Sequence, residues 1–110
     1  MIIDFKNMSE KIVEKSFGGS KQVNMKIFED PNAKLMTNRL MPGSSVGFHQ
    51  HTTSWEVYYF LSGTGTLNDN NNKIKVKPGD FHYCKLGDYH ELINDGHEDL
   101  VFLALVAKYN

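Results

Sequence analysis

Apolar and polar residues alternate along most of the chain after residue 22, at the two-residue period of a half-buried β-strand. Val23, Met25 and Ile27 are separated by polar residues in the first such segment, which ends at an acidic turn after residue 29. Later apolar segments are separated by turn dipeptides such as Pro-Gly and Gly-Asp. The pattern predicts further strands over residues 34–41, 45–51, 55–61, 66–67, 74–76, 81–85, 89–94 and 98–107.

Short strands with no long helix between them favour an all-β fold, an antiparallel sandwich or barrel. The asparagine-rich stretch at 68–72 predicts a hairpin turn, because asparagine tolerates the left-handed conformation. Only residues 5–17 carry apolar residues near helical spacing, which predicts a short N-terminal helix. The alternatives for this segment are an arm that packs on the body or on a second subunit, and a free tail.

Length, charge and cysteine content limit the number of domains, the kinds of partner and the location that we expect for this chain. A chain of 110 residues is expected to form one domain, 1–110, with its core barrel at about 22–107. A net charge of −1 gives no reason to expect nucleic acid or an anionic membrane. The longest apolar run, residues 100–107, is far shorter than the roughly 18 residues of a membrane span, and no signal peptide is recognisable. The one cysteine, Cys84, fits a reducing, cytoplasmic location.

Three potential metal ligands lie within eight residues: His49, His51 and Glu56. Residues at i and i+2 of a strand share a face, so both imidazoles point the same way and can reach one ion. The polar residues between His51 and Glu56 suit a tight turn. We therefore expect a hairpin that returns the carboxylate beside the two histidines, which gives a three-ligand metal site.

With these residues in their context, the chain resembles the cupins, small β-barrels of the jelly-roll type. Two cupin motifs have ten fixed positions between them, and nine agree here. The first motif is matched by Gly43, His49, His51, Glu56 and Gly63, and the second by Gly79, Gly87, His90 and Asn94. Lys85 stands where the family has proline, which we expect to alter the turn before Gly87 or to place a cation near the barrel mouth.

The resemblance implies that His90 is a fourth ligand beside His49, His51 and Glu56. Three imidazoles and a carboxylate suit a divalent transition metal, namely iron, manganese, nickel, zinc, cobalt or copper. An orienting role for Glu56, behind a histidine, remains open. The four motif glycines are expected to be turn residues with positive φ. The resemblance also implies a homodimer, with residues 22–28 or 5–17 as the packing surface.

Other residues are candidates for a functional role, and each has an ordinary structural explanation beside it. Tyr58 shares a strand face with Glu56, so it is a candidate for catalytic proton transfer, although core packing explains it as well. His82 is the second such candidate; with Cys84 it forms either an unusual ligand pair or an ordinary buried pair. Arg39 either pairs a substrate carboxylate inside the barrel or lies on the surface. His97 is expected to face solvent.

The hypothesis that follows is a metal-dependent enzyme acting on a small organic molecule in the barrel. A dioxygenase-like reaction is the first version, because histidine and carboxylate ligands with open positions suit iron and oxygen. A lyase or isomerase reaction is the second version. The alternative is a cupin that binds a metal or a small ligand as a sensor, without turnover. The ligand set alone does not separate catalysis from binding.

Overall fold

The computed structural model describes residues 1–108 as two antiparallel sheets that face each other across an apolar core. One sheet has the strand order β1-β2-β3-β10-β5-β8 and the other β4-β9-β6-β7. The strands are β1 (Lys11–Glu14), β2 (Gln22–Glu29), β3 (Ala33–Leu40), β4 (Ser45–Gln50), β5 (Ser54–Ser62), β6 (Gly65–Asp69), β7 (Asn72–Val76), β8 (Phe81–Cys84), β9 (Tyr89–Ile93) and β10 (Leu100–Lys108). The all-β jelly-roll prediction is therefore confirmed. Within residues 1–108, no helix has the length and apolar character needed to cross a membrane.

Alternation along the central strands produces the core. On β5, Tyr58 and Phe60 point inward while Tyr59 between them is exposed. On β10, which pairs with both β3 and β5, Leu100 and Phe102 are fully buried. Each large apolar side chain removed from water in this way contributes about 1.5–3 kcal/mol to folding. The same alternation directs polar residues on these strands into the space between the sheets.

The N-terminal segment forms no helix over 5–17, so that prediction is wrong. Two single 3-10 turns, Phe5–Asn7 and Ser16–Gly18, flank strand β1, which pairs with β2. Lys15 and Phe17 adopt left-handed conformations, with φ of 49° and 51°, which end any right-handed helix there. The apolar residues at helical spacing do not share a buried face, since Ile12 and Phe17 are both exposed. The segment is an arm packed on the body of the barrel.

The turns lie where the sequence predicts them. All four motif glycines have positive φ, as expected: Gly43, Gly63, Gly79 and Gly87. Asn70 and Asn71 are left-handed and join β6 to β7, which confirms the asparagine turn. At the departure from the cupin motif, the backbone N–H of Lys85 donates to Asp88 Oδ2 at 3.2 Å, a hydrogen bond that proline cannot make.

An irregularity in β4 sets the direction of the first ligand. The pairing of β4 with β9 shifts register between Val46 and His49, so both residues lie on the inner side although they are three apart. Regular alternation from Val46 would direct Phe48 inward and His49 outward. Phe48 instead lies outside, where its ring stacks on Tyr89 at 5.4 Å. The bulge therefore delivers His49 to the interior.

Candidate metal centre

Four potential ligands meet between the sheets. His49 lies on β4, His51 directly follows that strand, and His90 lies on β9 of the same sheet. Glu56 comes from β5 in the opposite sheet. The expected hairpin is wrong, because β4 pairs with β9, whereas β5 pairs with β10 and β8. The short polar segment at 51–53 crosses from one sheet to the other, and this crossing brings the carboxylate to the histidines.

The ligand atoms converge on a common centre. His90 Nε2 lies 3.0 Å from His51 Nε2, 3.1 Å from His49 Nε2 and 3.2 Å from Glu56 Oε1. His51 Nε2 lies 3.0 Å from the same carboxylate oxygen. A ring nitrogen has one proton or one lone pair, so His90 Nε2 cannot make three good hydrogen bonds at once. A cation satisfies all four atoms together.

The separations fit a metal ion. Two ligand atoms about 2.1 Å from one ion and at right angles to each other lie about 3.0 Å apart. The four separations, 3.0 to 3.2 Å, agree with that value. All four ligand atoms lie within 4.8 Å of one another. The site can therefore hold one transition-metal ion with nitrogen and oxygen ligands.

Hydrogen bonds on the outer ring nitrogens aim the imidazoles. His49 Nδ1 lies 2.7 Å from the carbonyl oxygen of Gly47, which can only accept, so Nδ1 carries the proton and donates it. His51 Nδ1 lies 2.8 Å from Ser54 Oγ. Partners of this kind fix the tautomer and ring orientation of metal-binding histidines. For His49 they leave the Nε2 lone pair free for an ion.

The charge state of the site also favours a cation. Burial by itself would raise the pKa of Glu56, but hydrogen bonds to His51 and His90 outweigh it and bring the pKa down to about 2. Burial lowers the pKa of His49 to about 4. At neutral pH the site therefore presents a carboxylate and a neutral imidazole, which are the forms that bind metals.

Phe17 covers His49 from outside the barrel. The two rings stack with centroids 3.8 Å apart and planes 9° from parallel. The backbones of the N-terminal arm and β4 run very close together beside this contact. A Cβ on Gly47 would lie only 2.1 Å from the Phe17 carbonyl oxygen. A Cβ on Gly19 would lie 2.3 Å from the Ser45 carbonyl oxygen. Only glycine at both positions allows the N-terminal arm to approach β4 this closely.

Tyr58 and His82 lie on different sides of His90. The Tyr58 ring stacks on the His90 ring at 5.1 Å, and Tyr58 also lines the cavity beside the ligands. Burial raises the pKa of Tyr58 well above its ordinary value, so the phenol stays protonated and keeps a proton that it can donate in a hydrogen bond. His82 Nε2 lies 3.0 Å from His90 Nδ1. Burial lowers the pKa of His82 to about 4, so this second imidazole is neutral.

Cys84 completes a second group of possible ligand atoms. Its thiol, a nitrogen of His82 and a nitrogen of His90 lie within 4.8 Å of one another, and all three side chains are buried. Burial raises the pKa of Cys84 to about 12, so the thiol stays protonated. A hydrogen bond between the two imidazoles already pairs their nitrogens. An ordinary buried pair therefore accounts for these two residues of β8.

A cavity of about 620 Å³ adjoins the centre. Its wall includes His49, His51, Glu56 and Tyr58, and it continues between the sheets along β2, β3 and β10. The cavity also reaches the N-terminal arm at Phe17. Volumes of about 300–1,000 Å³ are typical of pockets that enclose small organic molecules. The open side of the metal centre thus faces a ligand-sized space.

Three residues that the sequence analysis singled out lie away from the candidate metal centre. Arg39 lies on the outer side of β3, where its guanidinium pairs with Glu10 at 2.9 Å and Asp99 at 3.0 Å, so it does not meet a substrate in the barrel. His97 is exposed, as expected. Lys85 is exposed and does not line the cavity, so it places no cation at the mouth.

Sequence reasoning missed two residues of the site. Phe17 stands 32 positions before His49, inside a segment expected to be helical, and no local pattern links the two. Asn38 lies in an otherwise regular strand, yet its side chain is buried and lines the cavity. Its inward position follows from alternation with Met36 and Leu40, which is the signal that could have found it.

A family model described as "Cupin domain" matches residues 36–106, a segment that holds all four candidate ligands. The chain belongs to the cupin family. The candidate metal centre therefore lies within the matched segment, and the region before residue 36, including Phe17, lies outside the match.

A curated sequence and a solved structure, both from Thermotoga maritima, are similar to this chain. A protein called oxalate-binding protein is 43% identical over 68 residues, which is 62% of this cupin and 56% of the relative. A crystal structure described as a predicted oxalate decarboxylase superposes with a TM-score of 0.92 at 30% identity, over 98% of this chain and 99% of that one. A putative sugar phosphate isomerase from Acidithiobacillus ferrooxidans superposes with a TM-score of 0.74 at 29% identity, over 79% of this chain and 60% of that one. The chain spans about half the length of the curated relatives it matches.

Proposed function

We propose that this cupin is a metal-dependent enzyme that acts on a small organic acid. Its ion, one divalent iron, manganese, nickel, zinc, cobalt or copper, is held by His49, His51, Glu56 and His90. The observation that carries the proposal is the convergence of four ligand atoms, from two sheets, at separations of 3.0 to 3.2 Å. The oxalate in the names of the Thermotoga relative and of the similar Thermotoga structure supports a small acid as the ligand.

The residues around the ion have separate roles. The bound metal supplies a Lewis acid that polarises a carboxylate or carbonyl oxygen and, for iron or copper, redox chemistry with oxygen. Glu56 contributes the one negative charge among the four ligands and so offsets half of the charge of a divalent cation. Tyr58, protonated and on the cavity wall, donates a hydrogen bond to the bound acid. His82 is a positioning residue that holds His90 through its outer nitrogen.

Two reaction classes suit this arrangement. The ligand set favours a dioxygenase-like reaction first, because it leaves positions free on an ion that takes five or six ligands. A lyase or isomerase reaction is second, and the likeness to a predicted oxalate decarboxylase supports it. Both classes need an acid bound directly to the ion, and the presence or absence of an oxygen requirement distinguishes them.

The alternative function is capture of a small acid without turnover. The relative named oxalate-binding protein favours this alternative, since that name describes binding alone. The same ligands and the same cavity would serve it. Capture and catalysis then differ only in whether the bound acid is converted.

The proposal is tested by titrating the metal-loaded protein with oxalate in a calorimeter, before and after removal of the metal by a chelator. We expect one-to-one binding that disappears with the metal and in His49→Ala, and that persists in His97→Ala, the exposed matched control. Oxygen uptake and carbon dioxide release are then measured in the same samples. Oxygen uptake indicates a dioxygenase-like reaction, anaerobic release indicates a lyase, and binding alone indicates capture. Equal binding with and without metal would refute all three versions.

A further inference from the structure

The cavity beside the metal centre is larger than a small dianion such as oxalate requires. It encloses about 620 Å³ and extends from the ligands to Asn38. Asn38 pairs with Phe102 of β10, which pairs in turn with Phe60 of β5. Phe60 is four residues along β5 from Glu56, and four residues of a strand span roughly 13 Å. The cavity therefore continues well past the ion.

The buried part of the wall of this extension is apolar, while the charged residues that line the cavity lie where it opens to solvent, since they are exposed or half-buried: Lys11, Glu14, Lys15, Glu29 and Lys34. The inward side chains of three strands and of β4 form the buried part: Val23, Met25, Ile27, Met36, Val46 and Val106. The only arginine of the chain, Arg39, is held outside by two carboxylates. None of the six side chains of this buried wall is cationic, so a second carboxylate against them would lose its hydration without gaining a charged partner. The space is suited to a hydrocarbon chain.

One polar group interrupts the apolar wall. Asn38 is 6% exposed, and its Oδ1 atom has no hydrogen-bond partner among residues 1–108. A buried polar atom without a partner destabilises the protein, because it loses its hydration and gains no hydrogen bond in exchange. Because Asn38 lines the cavity, a ligand group can reach this amide and satisfy it. The cavity thus has a metal at one end and an unsatisfied amide on the wall of its apolar part.

We infer that the ligand of this cupin is a carboxylic acid with a chelating head, such as a 2-hydroxy or 2-oxo acid, and an apolar chain. The head binds at the metal, and the chain lies along Met25, Ile27 and Met36. A hydroxyl or amino group toward the far end of the chain pairs with Asn38. This inference rests on the proposed function and narrows it, since it makes oxalate a minimal head group rather than the preferred ligand.

A chain-length series tests the inference. The metal-loaded protein is titrated with glycolate, lactate and 2-hydroxy acids of increasing length up to 2-hydroxyoctanoate. Each buried methylene contributes about 0.8 kcal/mol, so we expect the Kd to fall about threefold to fourfold for each added methylene until the chain fills the space. An ω-hydroxyl on an acid of the right length should lower the Kd about fivefold further, the value of one net hydrogen bond.

Two variants locate the effect. Met36→Gln, nearly equal in volume, should weaken binding of the long acid about tenfold and change the Kd for oxalate far less, because only the long acid reaches Met36. Ile74→Gln is its matched control, because Ile74 is exposed on the other sheet, away from the cavity. Asn38→Leu should abolish the preference for the ω-hydroxyl while keeping the chain-length dependence.

The possible outcomes distinguish failure of the long-chain acid inference from failure of the proposed metal-dependent function. If oxalate and lactate bind through the metal but Kd is flat along the series, the inference is overturned and the proposed function stands. If no acid binds in a metal-dependent way, the proposed function fails and the inference fails with it. A chain-length dependence that is unchanged in Met36→Gln also overturns the inference, because the chain then lies elsewhere.

Discussion

Comparing Phe17 with Phe48 shows what a stacked aromatic ring contributes to the candidate metal centre. Both are exposed, at 65% and 43%, and both stack on another ring. Phe17 stacks on the ligand His49, whereas Phe48 stacks on Tyr89 outside the barrel. The two contacts differ in whether the partner ring binds the ion.

We expect Phe17→Ala to weaken metal binding severalfold, because His49 loses the ring that restrains it and shields it from water. Phe17→Tyr should restore the affinity, since the stacking surface is kept. Competition with a chromophoric chelator measures the metal affinity directly. Phe48→Ala should leave it unchanged; an equal loss in both variants would show that the Phe17 contact has no specific role.

His82 is expected to act on the ion only through His90. Replacing it with leucine removes the partner of His90 Nδ1, and loss of such a partner typically costs 10–100-fold in metal affinity. His82→Gln, which keeps a hydrogen-bonding group, should recover part of that loss. Cys84→Ala serves as the neighbouring inward control on β8. If Cys84→Ala released as much metal as His82→Leu, the thiol would itself be a ligand, and our assignment would be wrong.

The ligand set was predictable at the scale of residues, and its surroundings were not. His49, His51 and Glu56 are close in sequence, and the second motif adds His90. The i, i+2 spacing of His49 and His51 is visible in the sequence, whereas the β4 bulge and the crossing between sheets that bring them to Glu56 are not. Phe17 and its contact depend on where a distant segment packs, and no periodicity encodes that.

At the scale of elements, the N-terminal arm is attached to β4 by a backbone contact. Gly47→Ala places a methyl group 2.1 Å from the Phe17 carbonyl oxygen, so the arm must shift or detach. We expect stability to fall by about 1–3 kcal/mol in urea, and protease cleavage before residue 20 to accelerate.

A control variant distinguishes detachment of the N-terminal arm from a general loss of stability. Gly79→Ala strains a turn with φ of 93° but meets no neighbouring atom, so it should lower stability without exposing the arm. Equal cleavage of the arm in both variants would mean that the Gly47 contact does not hold it.

Strand placement was predicted well, and strand pairing was predicted poorly. Alternation and turn dipeptides located the strands from β2 to β10, because both signals are local. The hairpin between His51 and Glu56 was wrong, since a short polar connection looks the same whether it joins paired strands or crosses between sheets. The arm was misread because two left-handed residues, Lys15 and Phe17, interrupt an apolar pattern that resembles a helix.

At the scale of the molecule, the outer face of β10, β5 and β8 is exposed and apolar. Its large exposed side chains are Leu103, Tyr59, Leu61, Phe81 and Tyr83. Such patches on a folded protein commonly mark interfaces. The face is uncharged along these strands, so it offers an unlike partner no charge to match, whereas a second copy can bury it symmetrically. Strand β2, expected earlier as a packing surface, is paired on both sides by β1 and β3.

We expect a homodimer through this face, with the mass measured by light scattering at micromolar concentration. Leu103→Lys should convert the dimer to a monomer, because it buries two uncompensated charges at the two-fold contact. Ile74→Lys, a similarly exposed position on the opposite sheet, should leave the dimer intact. A monomeric wild-type protein would refute the expected assembly without affecting the metal centre.

The metal content of the purified protein tests the central claim most directly. Elemental analysis should find close to one equivalent of a transition metal in the wild type and in His97→Ala, and little in His90→Ala or His49→Ala. His49 is the less buried of these two ligands, so its variant keeps the test valid if His90→Ala fails to fold. A wild-type protein that holds no transition metal after reconstitution, or folded ligand variants that retain it fully, would contradict the account.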